Sequence, residues 1–161
     1  MTSYTTANDP NQALNVFKNL DTDAQLALLW FVYEEMGERI TPAAPGSASP
    51  EIAEGLYNQV KEVEQQEQLE IMRAIARCDA SSLISREYGS LSANTKLAFW
   101  YYLAQGMDSG EIIPMPEDYE LTDQGQDLLA ALETMGFEDQ ITFLREAALG
   151  MGAEPASGSD I

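Results

Sequence analysis

Along most of this chain apolar side chains return at intervals of three and four residues and nowhere alternate with polar ones over a useful length. The pattern predicts one helix after another and no strand, so the expected fold class is all-α. A first helix is predicted over Pro10 to Leu20, and a second from Thr22, where Gln25 completes a capping-box spacing, to Gly37. A loop holding Pro42, Pro45, Gly46 and Pro50 follows and should be stiff; Ser49 and Pro50 fit the cap and first position of a third helix reaching Val63. Gln65 to Asp79 predicts a fourth helix with Leu69, Met72, Ile75 and Ala76 inward, and Ser81 to Tyr88 a short fifth. Ser92 or Asn94 opens a sixth that runs to Met107, with Gly110 closing the section. Beyond Pro114 and Pro116, Thr122 caps a helix to Met135, and Glu138 begins a last one ending near Met151. One helical domain over residues 1–151 is expected, with 152–161 as a disordered acidic tail.

The second and sixth helices are apolar on more than one side. In the second, Leu26, Leu29, Trp30, Tyr33 and Met36 share a face, while Leu28, Phe31 and Val32 lie elsewhere. In the sixth, Leu97, Trp100 and Met107 form a stripe with Tyr101 at its edge, and Phe99, Tyr102 and Leu103 lie on others. Such stripes are commonly plain core. They also suit a slot for a flat, elongated, apolar ligand: Trp and Tyr faces stack on it, Met packs softly around it, and an indole N–H or phenol O–H meets a polar end. Each of these helices is followed by a proline-bearing loop, which suggests two similar helical halves.

Charge narrows the choice of partner. The 27 acidic residues against 8 basic ones give a net charge of -19, a surface that repels phosphate backbones and anionic lipids, so neither nucleic acid nor a membrane surface is expected as partner. No apolar stretch approaches the ~20 residues of a membrane span, and Leu26 to Tyr33 is stopped by Glu34 and Glu35. The N-terminal residues lack the basic and apolar regions of a signal peptide, and the single cysteine, Cys78, has no internal disulfide partner, so the chain reads as cytoplasmic.

The chemistry of catalysis is sparse. Without a histidine the chain lacks the commonest general base and the imidazole ligands of helical di-iron, zinc and haem sites; neither catalytic nor metal-ligating residues are assigned. Carboxylate pairs such as Glu34 with Glu35 and Glu62 with Glu64 read as solvated helix faces. Cys78 has only Arg73 and Arg77 near it in sequence and reads as a partly buried structural thiol. Lys96, the one lysine bordering an apolar run, falls in the polar first turn of its helix, which argues against a Schiff base.

Several strings together resemble a known family. They are Asp23 through Gly37, Ala43-Ala44-Pro45-Gly46, Asn94 through Tyr101, Pro114-Met115-Pro116 with Tyr119, and Gln140 through Arg145. In order and separation they resemble the N-terminal domain of the orange carotenoid protein of cyanobacteria, over residues 20 to 151. The resemblance implies two interleaved, discontinuous four-helix bundles with one keto-carotenoid (canthaxanthin, echinenone or 3'-hydroxyechinenone) threaded along their shared interior. Matched residue by residue, it implies lining by Leu26, Leu29, Trp30, Tyr33 and Met36 from the second helix and by Leu97, Trp100, Tyr101 and Met107 from the sixth. Met115 and Tyr119 would come from the proline loop, Gly46 would allow close backbone approach, and Ile141 with Arg145 would border the opening.

The chain departs from that pattern in carrying Ala104-Gln105 for a more familiar Gly-Glu and Met115 for a more usual Ile. It also stops soon after Met151, so a helical carotenoid protein without the second, switching domain is expected. The implied function is non-enzymatic photoprotection, by singlet oxygen quenching or carotenoid carriage. Quenching of the phycobilisome antenna near thylakoid membranes is the alternative: Arg145 matches a docking arginine, while a charge of -19 opposes docking on an acidic antenna. A carotenoid-donating homologue of the missing C-terminal domain is a further candidate partner. The reading from another class is a colourless helical interaction module with the same aromatics as ordinary core.

Overall fold

The computed structural model describes residues 9–36, 50–115 and 119–153. Among them are eight helices and no strand: α1 (Pro10–Asn19), α2 (Thr22–Met36), α3 (Pro50–Lys61), α4 (Gln65–Ala76), α5 (Leu83–Gly89), α6 (Ala93–Ser109), α7 (Asp123–Thr134) and α8 (Phe137–Leu149). They fall into two compact units, each discontinuous in sequence. The first takes α1, α2, α7 and α8 through Ala147; the second takes α3 to α6 and the chain from Ala148. This is the all-α, four-plus-four division expected above. The loop with Pro42, Pro45 and Gly46, the Ser49 cap, Pro116 and residues 154–161 of the expected tail lie outside the described residues.

Most helix starts follow their caps. Asp9 accepts from the Gln12 amide, Ser82 from Ser85, Ser92 from Thr95 and Thr122 from Gly125, each satisfying a backbone donor that has no partner within the first turn. The cap of α2 is one residue earlier than expected. The carboxylate of Asp21 accepts from the Ala24 amide at 2.8 Å, so Thr22 is already helical, and Gln25 reaches back to the carbonyl of Phe17 at 3.0 Å instead of closing a capping box. A carboxylate at this end also meets the positive pole of the helix. Helix α4 ends at Ala76, short of the expected Asp79, because Cys78 turns into the left-handed region at φ 59. Its amide bonds the carbonyl of Ile75 and that of Asp79 bonds Ala74, a Schellman ending with cysteine where glycine is usual.

In the first unit the stripe Ala24, Leu28, Val32 and Met36 of α2 is buried, and α7 packs on both α1 and α2. Phe17 meets Phe143 edge to face, with ring centroids 5.7 Å apart. In the second unit α3 packs on α6, burying Ala53, Leu56 and Val60 against a helix whose Ala98 and Leu103 are also covered. Burying a valine or leucine side chain in this way contributes about 1.5–3 kcal/mol.

The buried polar residues of the second unit pin its connections. Gln68 of α4 is 2% exposed. Its amide nitrogen donates to the carbonyls of Lys61, Val63 and Glu111, and its amide oxygen accepts from Ile113, so one side chain fixes two chain segments. Tyr57 donates its hydroxyl to Glu111 at 2.9 Å. Burial first, then that carboxylate, pushes the Tyr57 phenol up to about 12.

The packed chain also runs past the expected boundary at Met151. Gly152 donates to the carbonyl of Ile75 at 2.8 Å and Ala153 to that of Ser85 at 3.1 Å, and both residues are buried. Gly152 and Ala153 thus close the second unit. Gly89 is what lets them in, because a Cβ there would run into the Ala153 carbonyl oxygen.

Two outcomes are expected. Gly89→Ala should lower stability by about 2 kcal/mol or more in a denaturant titration, while Gly55→Ala, which meets nothing within 4 Å in mid-helix, should raise it by about 0.5–1 kcal/mol. Equal effects would contradict the close approach. Because the Tyr57 phenol titrates near 12 in the fold and near 10.0 when unfolded, the native state holds the extra proton between those values. Stability should therefore fall as pH rises through that window, and fall less steeply in Tyr57→Phe.

Candidate functional site

Helix α2 presents two apolar sides that the structure treats differently. The stripe through Ala24, Leu28 and Val32 is buried, whereas Leu26, Leu29, Trp30 and Tyr33, on the other side, are each half-buried. The rings of Trp30 and Tyr33, one helical turn apart, stack with centroids 5.6 Å apart and planes 30° apart. Met36 belongs with the packed stripe at 2% exposure. Tyr119 lies near the start of α2, where burial first and then the carboxylates of Asp21 and Asp23 raise its phenol. Met115 and Ile141 are half-buried, and Arg145 is exposed one turn after Ile141 on α8.

In the second unit, Trp100, Tyr101 and Met107 of α6 are half-buried, while Leu97 is buried among the core side chains of the same helix. The structure thus places Leu26, Leu29, Trp30 and Tyr33 together on one helix side and Trp100 with Tyr101 and Met107 on another, and draws Met36 and Leu97 into their own cores. Gly46 lies outside the described residues.

Three expectations change here. The indole N–H of Trp100 does not serve a ligand's polar end: it donates to the hydroxyl of Tyr88 at 2.8 Å. Tyr88 is fully buried and donates in turn to the carbonyl of Ala148 at 2.6 Å. Burial holds its phenol well above the ordinary tyrosine value, with the accepted indole hydrogen bond as the smaller opposing effect. Lys96 is not in a polar turn. At 4% exposure its ammonium donates to the carbonyl of Leu149 at 3.1 Å and sits 5.2 Å above the Tyr88 ring. Burial draws its ammonium below the usual lysine value, partly offset by Cys78. Cys78 itself is exposed, with its sulfur 3.2 Å from the carbonyl of Gly150.

Tyr88 was not singled out by sequence. Its partners lie 12 and 60 residues away, so no local spacing announces them; the one signal is a tyrosine on the inner side of a short helix. The carboxylates Glu34, Glu35, Glu62 and Glu64 are exposed. Across α2 and α7, Glu133 has its carboxyl raised by burial first and then by hydrogen bonding to Glu35. Among the described residues no group of three or more His, Cys, Asp or Glu could hold a metal ion, and no helix is long and apolar enough to cross a membrane.

Residues 3–154 match the family model described as orange carotenoid protein, N-terminal. A protein of Nostoc sp. PCC 7120 called orange carotenoid-binding domain-containing protein is 47% identical over 142 residues, covering 88% of this chain and 82% of its own. The orange carotenoid-binding protein of Limnospira maxima is 40% identical over 84% of this chain, which spans 43% of that longer relative. Among solved structures, the red carotenoid protein of Anabaena (Nostoc) sp. PCC 7120 binding canthaxanthin superposes with a TM-score of 0.82 at 46% identity, over 90% of this chain and 99% of that one. The orange carotenoid protein of the same organism, also binding canthaxanthin, gives 0.83 at 36% identity over 94% of this chain and 48% of that one. An all-helical chain with these aromatic helices, matched over nearly its whole length, belongs to the orange carotenoid protein N-terminal family.

Proposed function

We propose that this protein binds a keto-carotenoid through the half-buried aromatic sides of α2 and α6 and serves photoprotection, as a singlet-oxygen quencher or a carotenoid carrier. One observation carries the reading: Leu26, Leu29, Trp30 and Tyr33 stay half-buried on a helix whose opposite stripe is packed shut. Plain core would have covered both sides. A flat conjugated chain needs apolar aromatic surface without unmet polar groups, and these residues fit it. Trp30 and Tyr33 offer stacked faces, and Trp100 has its only polar group satisfied internally by Tyr88.

On this reading the residues that the family resemblance names for the pigment are Leu26, Leu29, Trp30 and Tyr33 with Met115, Tyr119 and Ile141, and Trp100, Tyr101 and Met107, all of them half-buried. Met36 and Leu97 back them from the packed cores. Gly46 and its loop keep the place that the family resemblance gives them. When bound, the polyene would supply a low-lying triplet level that drains singlet oxygen. The protein's share is to orient the pigment, exclude water and keep it in solution. Canthaxanthin on the red carotenoid protein, at 46% identity, supports a keto-carotenoid as ligand.

A second reading, docking on the phycobilisome to quench its excitation, is favoured by the exposure of Arg145. The net charge of -19 weighs against it, since like charges slow encounter with an acidic antenna.

The visible spectrum of protein purified from cells making keto-carotenoids should show a band shifted from free pigment. Replacing both Trp30 and Trp100 by Ala should cut retained pigment by about tenfold or more, as expected when two stacked rings are lost. A stably folded but colourless parent protein would leave the interaction-module reading in its place. With the coloured protein, singlet-oxygen phosphorescence should be quenched equally by the parent and by Arg145→Glu. Loss of antenna-fluorescence quenching in Arg145→Glu would instead establish the docking reading.

A further inference from the structure

We infer that Tyr88 is a positioning residue for the pigment reading above: its buried hydroxyl holds the Trp100 indole in one orientation and ties that orientation to the last turn of α8. The inference rests on that reading for what Trp100 touches, but the hydrogen bonds stand by themselves. Tyr88 accepts from the Trp100 indole at 2.8 Å and donates to the Ala148 carbonyl at 2.6 Å, so its hydroxyl uses its one proton and one lone pair in a fixed direction. The phenol cannot relax toward water, because it is fully buried.

Three packing contacts keep the ring where it is. Phe99 meets it edge-on at 5.6 Å, the Lys96 ammonium sits above it at 5.2 Å, and Gly152 passes so close that a Cβ there would strike Tyr88 Cδ1. Trp100 itself lies edge-on to both Tyr88 and Phe99, at 6.3 and 5.9 Å. The indole is therefore held at its N–H by the Tyr88 hydroxyl. Rotation of the ring would break the hydrogen bond and leave the buried Tyr88 hydroxyl without its donor.

The same hydroxyl joins Trp100 to the last turn of α8. Ala148 and Leu149 offer their carbonyls to Tyr88 and Lys96, and Gly152 and Ala153 continue onto Ile75 and Ser85. Displacing the end of α8 would take the acceptor from Tyr88 and loosen the indole. Pigment environment and the seating of the segment from Ala148 to Ala153 are then coupled through one oxygen atom.

The test compares parent and Tyr88→Phe, which keeps the ring and removes the hydroxyl. In apoprotein carrying Trp30→Phe, so that Trp100 alone reports, the ultraviolet resonance Raman marker of indole N–H hydrogen bonding should shift to its unbonded position, and fluorescence anisotropy should show faster ring motion. With Trp30 present and canthaxanthin supplied, the pigment band should move and retention fall by about three- to tenfold, the fold-change of one lost hydrogen bond. Circular dichroism checks that Tyr88→Phe is folded. Should it not fold, slow hydrogen exchange of the Trp100 indole N–H in the parent supports the buried bond, and exchange at the rate of an exposed indole overturns it. A coloured parent with an unchanged indole marker in Tyr88→Phe, or a released indole with an unmoved pigment band, overturns the positioning role alone. A parent that takes up no canthaxanthin overturns the pigment reading, and the role of Tyr88 toward it as well.

Discussion

A helix that is apolar on two sides can satisfy only one of them by packing within a small bundle, and that constraint organises this protein. Helix α2 closes the first unit with Ala24, Leu28, Val32 and Met36 and leaves Leu26, Leu29, Trp30 and Tyr33 half-covered. Helix α6 closes the second unit with Ala98, Phe99 and Leu103 and leaves Trp100, Tyr101 and Met107 in the same state. Large aromatic side chains left this way cost solvation free energy unless something apolar covers them. The family to which the chain belongs is described by its carotenoid, which supplies a physical reason for retaining such surfaces.

The second unit adds a demand of its own, since it buries a phenol, an ammonium and an amide. Each survives because its partners are backbone carbonyls or amides that cannot swing away: Ala148 for Tyr88, Leu149 for Lys96, and Glu111 with Ile113 for Gln68. Bonds of this kind resist rearrangement more than apolar contacts do, because breaking one leaves a buried polar group without its partner. They concentrate around α6, the helix whose half-buried side carries Trp100. Rigidity is thus placed behind the half-buried side of α6 that carries Trp100.

How much of this was legible in the sequence follows from the range of the interactions. Helices came through because caps such as Ser92 and Thr122 act over three residues, and the two aromatic stripes because helical spacing is local. The shift of the α2 cap from Thr22 to Asp21 is an ambiguity between neighbouring residues able to cap. Tyr88, Gln68, Lys96 and the Gly152-Ala153 closure were missed or misjudged because their partners lie tens of residues away, where no periodicity reports them. Which aromatics are core and which are half-open, as Phe99 against Trp100, is decided by tertiary packing between adjacent residues of one helix. The assignment of a pigment came from matched strings, not from spacing.

The excess of acid gains a role once the aromatic sides are set beside it. Half-covered Trp and Tyr surfaces on a small protein invite association between copies. A net charge of -19 opposes it, because two like-charged molecules must approach within a Debye length of ~8 Å before those surfaces can meet. On α2 the two features are adjacent: Trp30 and Tyr33 are followed directly by the exposed carboxylates of Glu34 and Glu35. Charge of this sort scarcely affects the capture of a neutral apolar ligand, yet it penalises a second copy of the chain. The acidic surface therefore opposes self-association through the half-covered aromatic sides without repelling a small neutral molecule.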